Sequence, residues 1–228
     1  MRKQIHFYSS KALTRYRYFI FIICLLLSRN IYSQNLEETK KLFVGSYMTH
    51  PNKQDSLTVF VSDPQWVCVE YLGICKIGKS NLISKNLLCA KNNNIMKLID
   101  ALVYIRDKAY EWNDILEARN ISSCEKEFKK VSFPRLDLYV KVPDTTYHMW
   151  SNKRFIKKAS FVKTNGEEKY KIILFVSGSK EINHELLLNI FVNDEIVLCE
   201  EDINKLIQAL REALKCHENL NIKDMLVG

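Results

Sequence analysis

The chain has 228 residues, 47% hydrophobic, 26% charged and 11% aromatic, a balance that excludes disorder, collagen-like repeats and coiled coil. Its formal charge of +8 sits mostly at the N-terminus: the first 33 residues hold six Lys and Arg and no acid, and the remainder carries 28 Lys and Arg against 26 Asp and Glu, or +2. A nucleic-acid partner needs a basic footprint on the folded part and is therefore not expected.

Arg2, Lys3, Lys11, Arg15 and Arg17 precede an apolar run from Tyr18 to Leu27, the order of an n-region and an h-region in a secretory signal. Ten residues span about 15 Å as a helix, half of what a bilayer crossing takes, so a signal is read here rather than an anchor. Residues 1–33 are then a signal peptide cut after Ser33, the mature chain is secreted or periplasmic, and it meets a membrane only during export. Six cysteines remain, Cys68, Cys75, Cys89, Cys124, Cys199 and Cys216. They allow three disulfides in any of 15 pairings. Cys89 and Cys199, each ending an apolar run, also read as small buried hydrophobes.

After a helix-prone lead at 36–42, strands are expected at Leu57–Val61 and Trp66–Leu72, β-branched and aromatic runs separated by Asp63-Pro64. Past Asn92-Asn93-Asn94 the period changes. Ile95, Leu98, Ile99, Leu102, Ile105 and Ala109 recur at three- and four-residue steps and predict a long amphipathic helix. A second β-rich block covers Leu136–Val142, Phe155–Val162, Tyr170–Val176 and Leu186–Val192, with turns expected at Asn165-Gly166 and Asn193-Asp194. A last helix starts near Glu200, where Glu200, Glu201 and Asp202 put negative charge at its positive end.

The hexamer KLIDAL at 97–102 returns as KLIQAL at 205–210, 108 residues on, and each follows an apolar stretch ending in Leu-Cys. Strands clustered before each helix argue for α+β over a parallel doubly wound sheet. The expected fold is thus a single α+β domain over 34–228, built of antiparallel β-meanders each followed by an amphipathic helix, with pseudo-repeated halves 40–122 and 123–220.

The sharpest string is Gly73-Ile74-Cys75-Lys76-Ile77-Gly78-Lys79-Ser80, which satisfies G-x-x-x-x-G-K-[ST] behind an apolar run. It resembles the phosphate-binding loop of P-loop NTPases, whose backbone N–H groups cradle phosphates while the lysine and hydroxyl reach phosphate and Mg²⁺. The resemblance implies a nucleotide site using Gly73, Gly78, Lys79 and Ser80. Read from the residues alone, the same string is also a strand running into a glycine turn with Lys79 in solvent, since Ile74 and Ile77 suit a pleated strand.

Other chemistry finds no support. His184-Glu185 and His217-Glu218 begin like zinc-protease helices, but Leu188 and Asn221 stand where the second histidine belongs, so no metal site is assigned. His50 and His148 read as surface or strand-edge residues. Neither catalytic residues nor a cofactor are assigned, and Ser177-Gly178-Ser179 lacks the G-x-S-x-G elbow. A cysteine-dependent hydrolase is a third reading without a specific pair. Tyr147, His148, Met149 and Trp150 read as a loop able to anchor a partner. The chain is therefore read as an exported, non-enzymatic binding or interaction module for a protein, glycan or envelope component. The alternative is a P-loop nucleotide-binding protein using Gly73–Ser80.

Overall fold

The computed structural model describes residues 42–50, 53–62, 66–143, 145–183 and 188–227; the signal segment, the 36–41 lead, Asp63-Pro64 and His184 lie outside them. In chain order the elements are β1 (Leu42–His50), β2 (Lys53–Ser62), β3 (Trp66–Ile77), β4 (Ser80–Ala90), α1 (Asn92–Ala118), β5 (Cys124–Glu127), β6 (Leu136–Val142), β7 (Thr145–Lys153), β8 (Ile156–Lys163), β9 (Lys171–Asn183), β10 (Leu188–Cys199) and α2 (Glu200–Val227). The fold is α+β, and every strand pairing is antiparallel. One ten-stranded sheet runs β5-β8-β9-β10-β3-β4-β6-β7, with β1 and β2 branching from β3.

That branch is the organising feature. Along one edge β3 pairs with β4 over its whole length. Its other edge is shared, Trp66–Glu70 going to β2 and Cys75–Ile77 to β10. Alternation along β3 sends Val67, Val69, Tyr71 and Cys75 to the main core, where they meet the buried stripes of both helices. Cys68 and Cys89 face the other way with Phe60 and Leu87, under Trp66 and Tyr139.

Cys68 and Cys89 lie directly opposite each other on β3 and β4, Cα atoms 4.1 Å apart, and form a disulfide. Cys89 is therefore not a free buried hydrophobe. Cys75, Cys124, Cys199 and Cys216 are free thiols. No described helix is long and apolar enough to cross a membrane.

Several elements differ from their sequence expectation. The strand expected to stop at Leu72 continues to Ile77, and the expected loop at 145–150 is part of β7, because pairing with β6 satisfies its backbone. Asn193-Asp194 is no turn: both sit inside β10, opposite Ser177 and Val176. The turn chemistry of Asp194 is overridden because its side chain is occupied elsewhere. Asn165-Gly166 does make a turn, with Gly166 at φ +83 and Glu167 N–H donating to the Thr164 carbonyl at 3.1 Å, the positive φ of a type II turn. The expected helices are present, and α1 ends at Asn120 with φ +52, a left-handed position that asparagine tolerates.

Candidate functional site

The Gly73–Ser80 string forms the distal half of a β-hairpin. Gly73 to Ile77 belong to β3, Gly78 and Lys79 make the turn, and Ser80 opens β4, paired with Ile77. Gly78 at φ +59 supplies the positive φ that a two-residue hairpin turn demands at its first position. Backbone N–H groups spent on a strand ladder cannot cradle a phosphate, and a strand follows where a phosphate loop needs a helix. The resemblance to the P-loop family ends at the residue pattern.

Gly73 has a different task. Where β2 and β10 part from β3, the Ile74 N–H has no strand partner, and it donates to Asp194 Oδ1 at 2.9 Å. Asn86 Nδ2 donates to Asp194 Oδ2 at 2.7 Å. A Cβ on Gly73 would stand 2.3 Å from Asp194 Oδ2 and 2.5 Å from Asn86 Nδ2, so only glycine admits the carboxylate. Burial raises the Asp194 carboxyl above its usual range, against the lowering effect of its hydrogen-bond donors. Burial and the Asp194 charge push the neighbouring Tyr71 phenol well up, and burial raises the Cys75 thiol. The cluster is polar but closed, with Asp194, Ser84 and Asn86 all buried. It seals the fork of the sheet.

The open site lies beside α1. The segment 128–135 folds along the helix and leaves two adjoining cavities that share Tyr104 and Lys130, of about 520 and 560 Å³. The first is lined by Lys97, Lys130, Arg135 and Arg154 against the single acid Asp100. None of these four cations makes an ion pair among the described residues, whereas Arg106, Lys108 and Lys163, on or beside the same helix, are each paired with an acid. Asn94 Nδ2 donates to the Arg135 carbonyl at 2.8 Å and ties the groove wall to the first turn of α1. In the second cavity Trp112 stacks on Phe128 at 4.7 Å, and Lys126 Nζ sits 4.2 Å from the Trp112 ring centroid. Phe133 is buried and anchors the segment at the first cavity.

The groove escaped sequence reading because its cations come from α1, β5, the 128–135 segment and Arg154, the residue after β7. Only the run Lys126, Lys129, Lys130 hinted at it. Of the aromatic stretch at 147–150, Met149 is buried in the core and Tyr147 packs against it. His148 lies on the exposed side, stacked on Tyr139 at 4.4 Å, with Nε2 4.0 Å from Asp137 Oδ2. Burial lowers its pKa, with Asp137 pulling the other way. No group of three or more metal-binding side chains occurs among the described residues.

No family model, no curated protein and no solved structure matches this chain.

Proposed function

We propose that the chain is an exported, non-enzymatic binding protein, secreted or periplasmic, that works through surface contacts with a glycan, protein or envelope component. The observation that carries this reading is the open groove beside α1, a concave surface with unpaired cations and the exposed ring of Tyr104, in contrast to the closed polar cluster at the sheet fork. The Cys68–Cys89 disulfide supports the export reading, since cross-links of this kind persist in oxidising compartments. So does the signal-like order of residues 1–33.

The two halves are proposed to descend from one meander-plus-helix unit. Ile95, Leu98, Ile99, Ala101 and Leu102 of α1 are buried, and so are Ile203, Leu206, Ile207, Ala209 and Leu210 of α2, each 108 residues later. Gly73 faces Ser84 across β3 and β4, and Gly178 faces Val192, the residue 108 beyond Ser84, across β9 and β10. The second hairpin connection is two residues longer and the β9–β10 ladder has a one-residue register shift between Leu188 and Asn189, which together offset β9 by three.

Two measurements on the natively expressed protein test the reading. Unreduced intact mass is expected to lack about the first 33 residues, with Cys68 and Cys89 protected from alkylation. The purified chain is expected to sediment with the envelope fraction of its own cells. A full-length chain with every thiol free, or no retention by that fraction, overturns the proposal.

A further inference from the structure

We propose that the groove beside α1 is a binding site for an acidic polysaccharide, a uronate- or sulfate-bearing chain, an inference that rests on the exported binding role above. The charge excess is local. Lys97, Lys130, Arg135 and Arg154 face Asp100 in the first cavity, and Lys126 and Lys129 face Glu125 and Glu127 in the second, where Lys108 is neutralised by Glu111. Six cations against three acids give the groove +3, whereas the whole chain past residue 33 carries +2.

Shape and chemistry narrow the ligand further. From Asn94 to Trp112 the two cavities together follow α1 for about 27 Å at 1.5 Å per residue, longer than a small ligand needs. Tyr104, 37% exposed, stands where the two cavities meet, beside Lys130, while Trp112 is half-buried between Phe128 and Lys126. A flat apolar ring beside cations matches sugar units, which show an apolar C–H face and a charged edge. An acidic peptide offers the charge without the flat face. Arg135 and Arg154 supply planar forks that grip carboxylate or sulfate through two N–H groups.

The test is a titration of the full mature chain with polygalacturonate and a sulfated oligosaccharide, alongside two other polyanions, polyglutamate, which has no sugar, and oligo-dT, whose charge is on phosphate and whose flat faces are bases. Saturable binding to at least one acidic sugar, tighter than to the other two, is expected. The exposed double reversal Arg135→Glu/Arg154→Glu weakens it about tenfold or more, on the scale of a lost charge contact. The charge-matched reversal Lys76→Glu/Lys85→Glu, on the β3–β4 hairpin, leaves it within about twofold. Preference for polyglutamate would make the ligand an acidic peptide, preference for oligo-dT a nucleic acid, and equal loss in both reversals a non-specific charge effect; each overturns the inference. If the wild-type chain sediments with envelopes but binds neither sugar, this inference fails while the binding role stands. If it does neither, both fail.

Discussion

α1 and α2 carry nearly the same hexamer and bury the same side of it, yet their N-termini are treated in opposite ways. In α2 the first turn holds Glu200, Glu201 and Asp202, and Asp202 Oδ2 accepts the Cys199 N–H at 3.0 Å, so the helix is closed by its own acids. In α1 no acid stands in the first turn and no side chain caps it. The position 108 residues before Asp202 is Asn94, and its amide reaches out to the Arg135 carbonyl. The same 108-residue spacing separates Asn86 from Asp194, and the two are hydrogen-bonded to each other. At both places the earlier position holds an amide and the later one a carboxylate. Asp194 and Asp202 are used to close the structure, and the α1 end has no acid in its first turn, where the basic groove lies.

Core truncation should give the largest effect and would expose any inequality between the two helices. Ile99→Ala and Ile207→Ala are each expected to cost about 3 kcal/mol in urea unfolding, both residues being almost fully buried. A cost at only one would break the equivalence of the helices. Asp194→Ala leaves the Ile74 N–H and the Asn86 amide without an acceptor, at a cost of about 2–3 kcal/mol.

The Asp194 carboxyl also has a pH signature. Its folded pKa is raised, so its contribution is fully present below the unfolded carboxylate range and is lost as pH rises through the folded value. The stability of wild type relative to Asp194→Asn should therefore fall as pH is raised from about 3.8. A rise over that interval would mean that the fork favours the charged form.

The amide–acid contrast is sharpened by smaller changes. Asp202→Ala should cost about 1 kcal/mol, whereas Asn94→Ala, which removes no cap, should cost less and act mainly on ligand binding. Asn94→Asp gives α1 the acid that α2 has. It is expected to stabilise the helix by about 0.5 kcal/mol while weakening acidic-sugar binding, and melting and titration of one preparation would read both. Lys79→Ala is expected within about 0.5 kcal/mol of wild type, with no shift in melting on adding Mg-ATP, because the residue is an exposed hairpin turn.

Periodicity made both helices legible, since Ile95 to Ala109 and Ile203 to Leu214 each write one apolar face; the start of α2 was read near Glu200, but its run to Val227 lies past the end of that stripe. The antiparallel, strand-clustered character followed from the order of the runs. What the sequence hid was long-range. Nothing local says that Cys68 stands opposite Cys89 rather than any other cysteine, which a register of 11 paired residues decides. Asn193-Asp194 looks like a turn because its acceptor role depends on an N–H 120 residues away. The phosphate-loop pattern misled for a related reason: its two glycines answer separate demands, close approach at Gly73 and positive φ at Gly78. The groove was invisible because four segments contribute to it, and Arg135 and Arg154 become neighbours of Lys97 only after folding.

The most direct measurement compares retention on the native envelope fraction of three chains: wild type, Arg135→Glu/Arg154→Glu, and the hairpin reversal Lys76→Glu/Lys85→Glu. Wild type and the hairpin variant are expected to be retained alike, and the groove variant to be lost to the supernatant while melting normally. Retention of the groove variant at the wild-type level would contradict that expectation and place the contact surface elsewhere on the molecule.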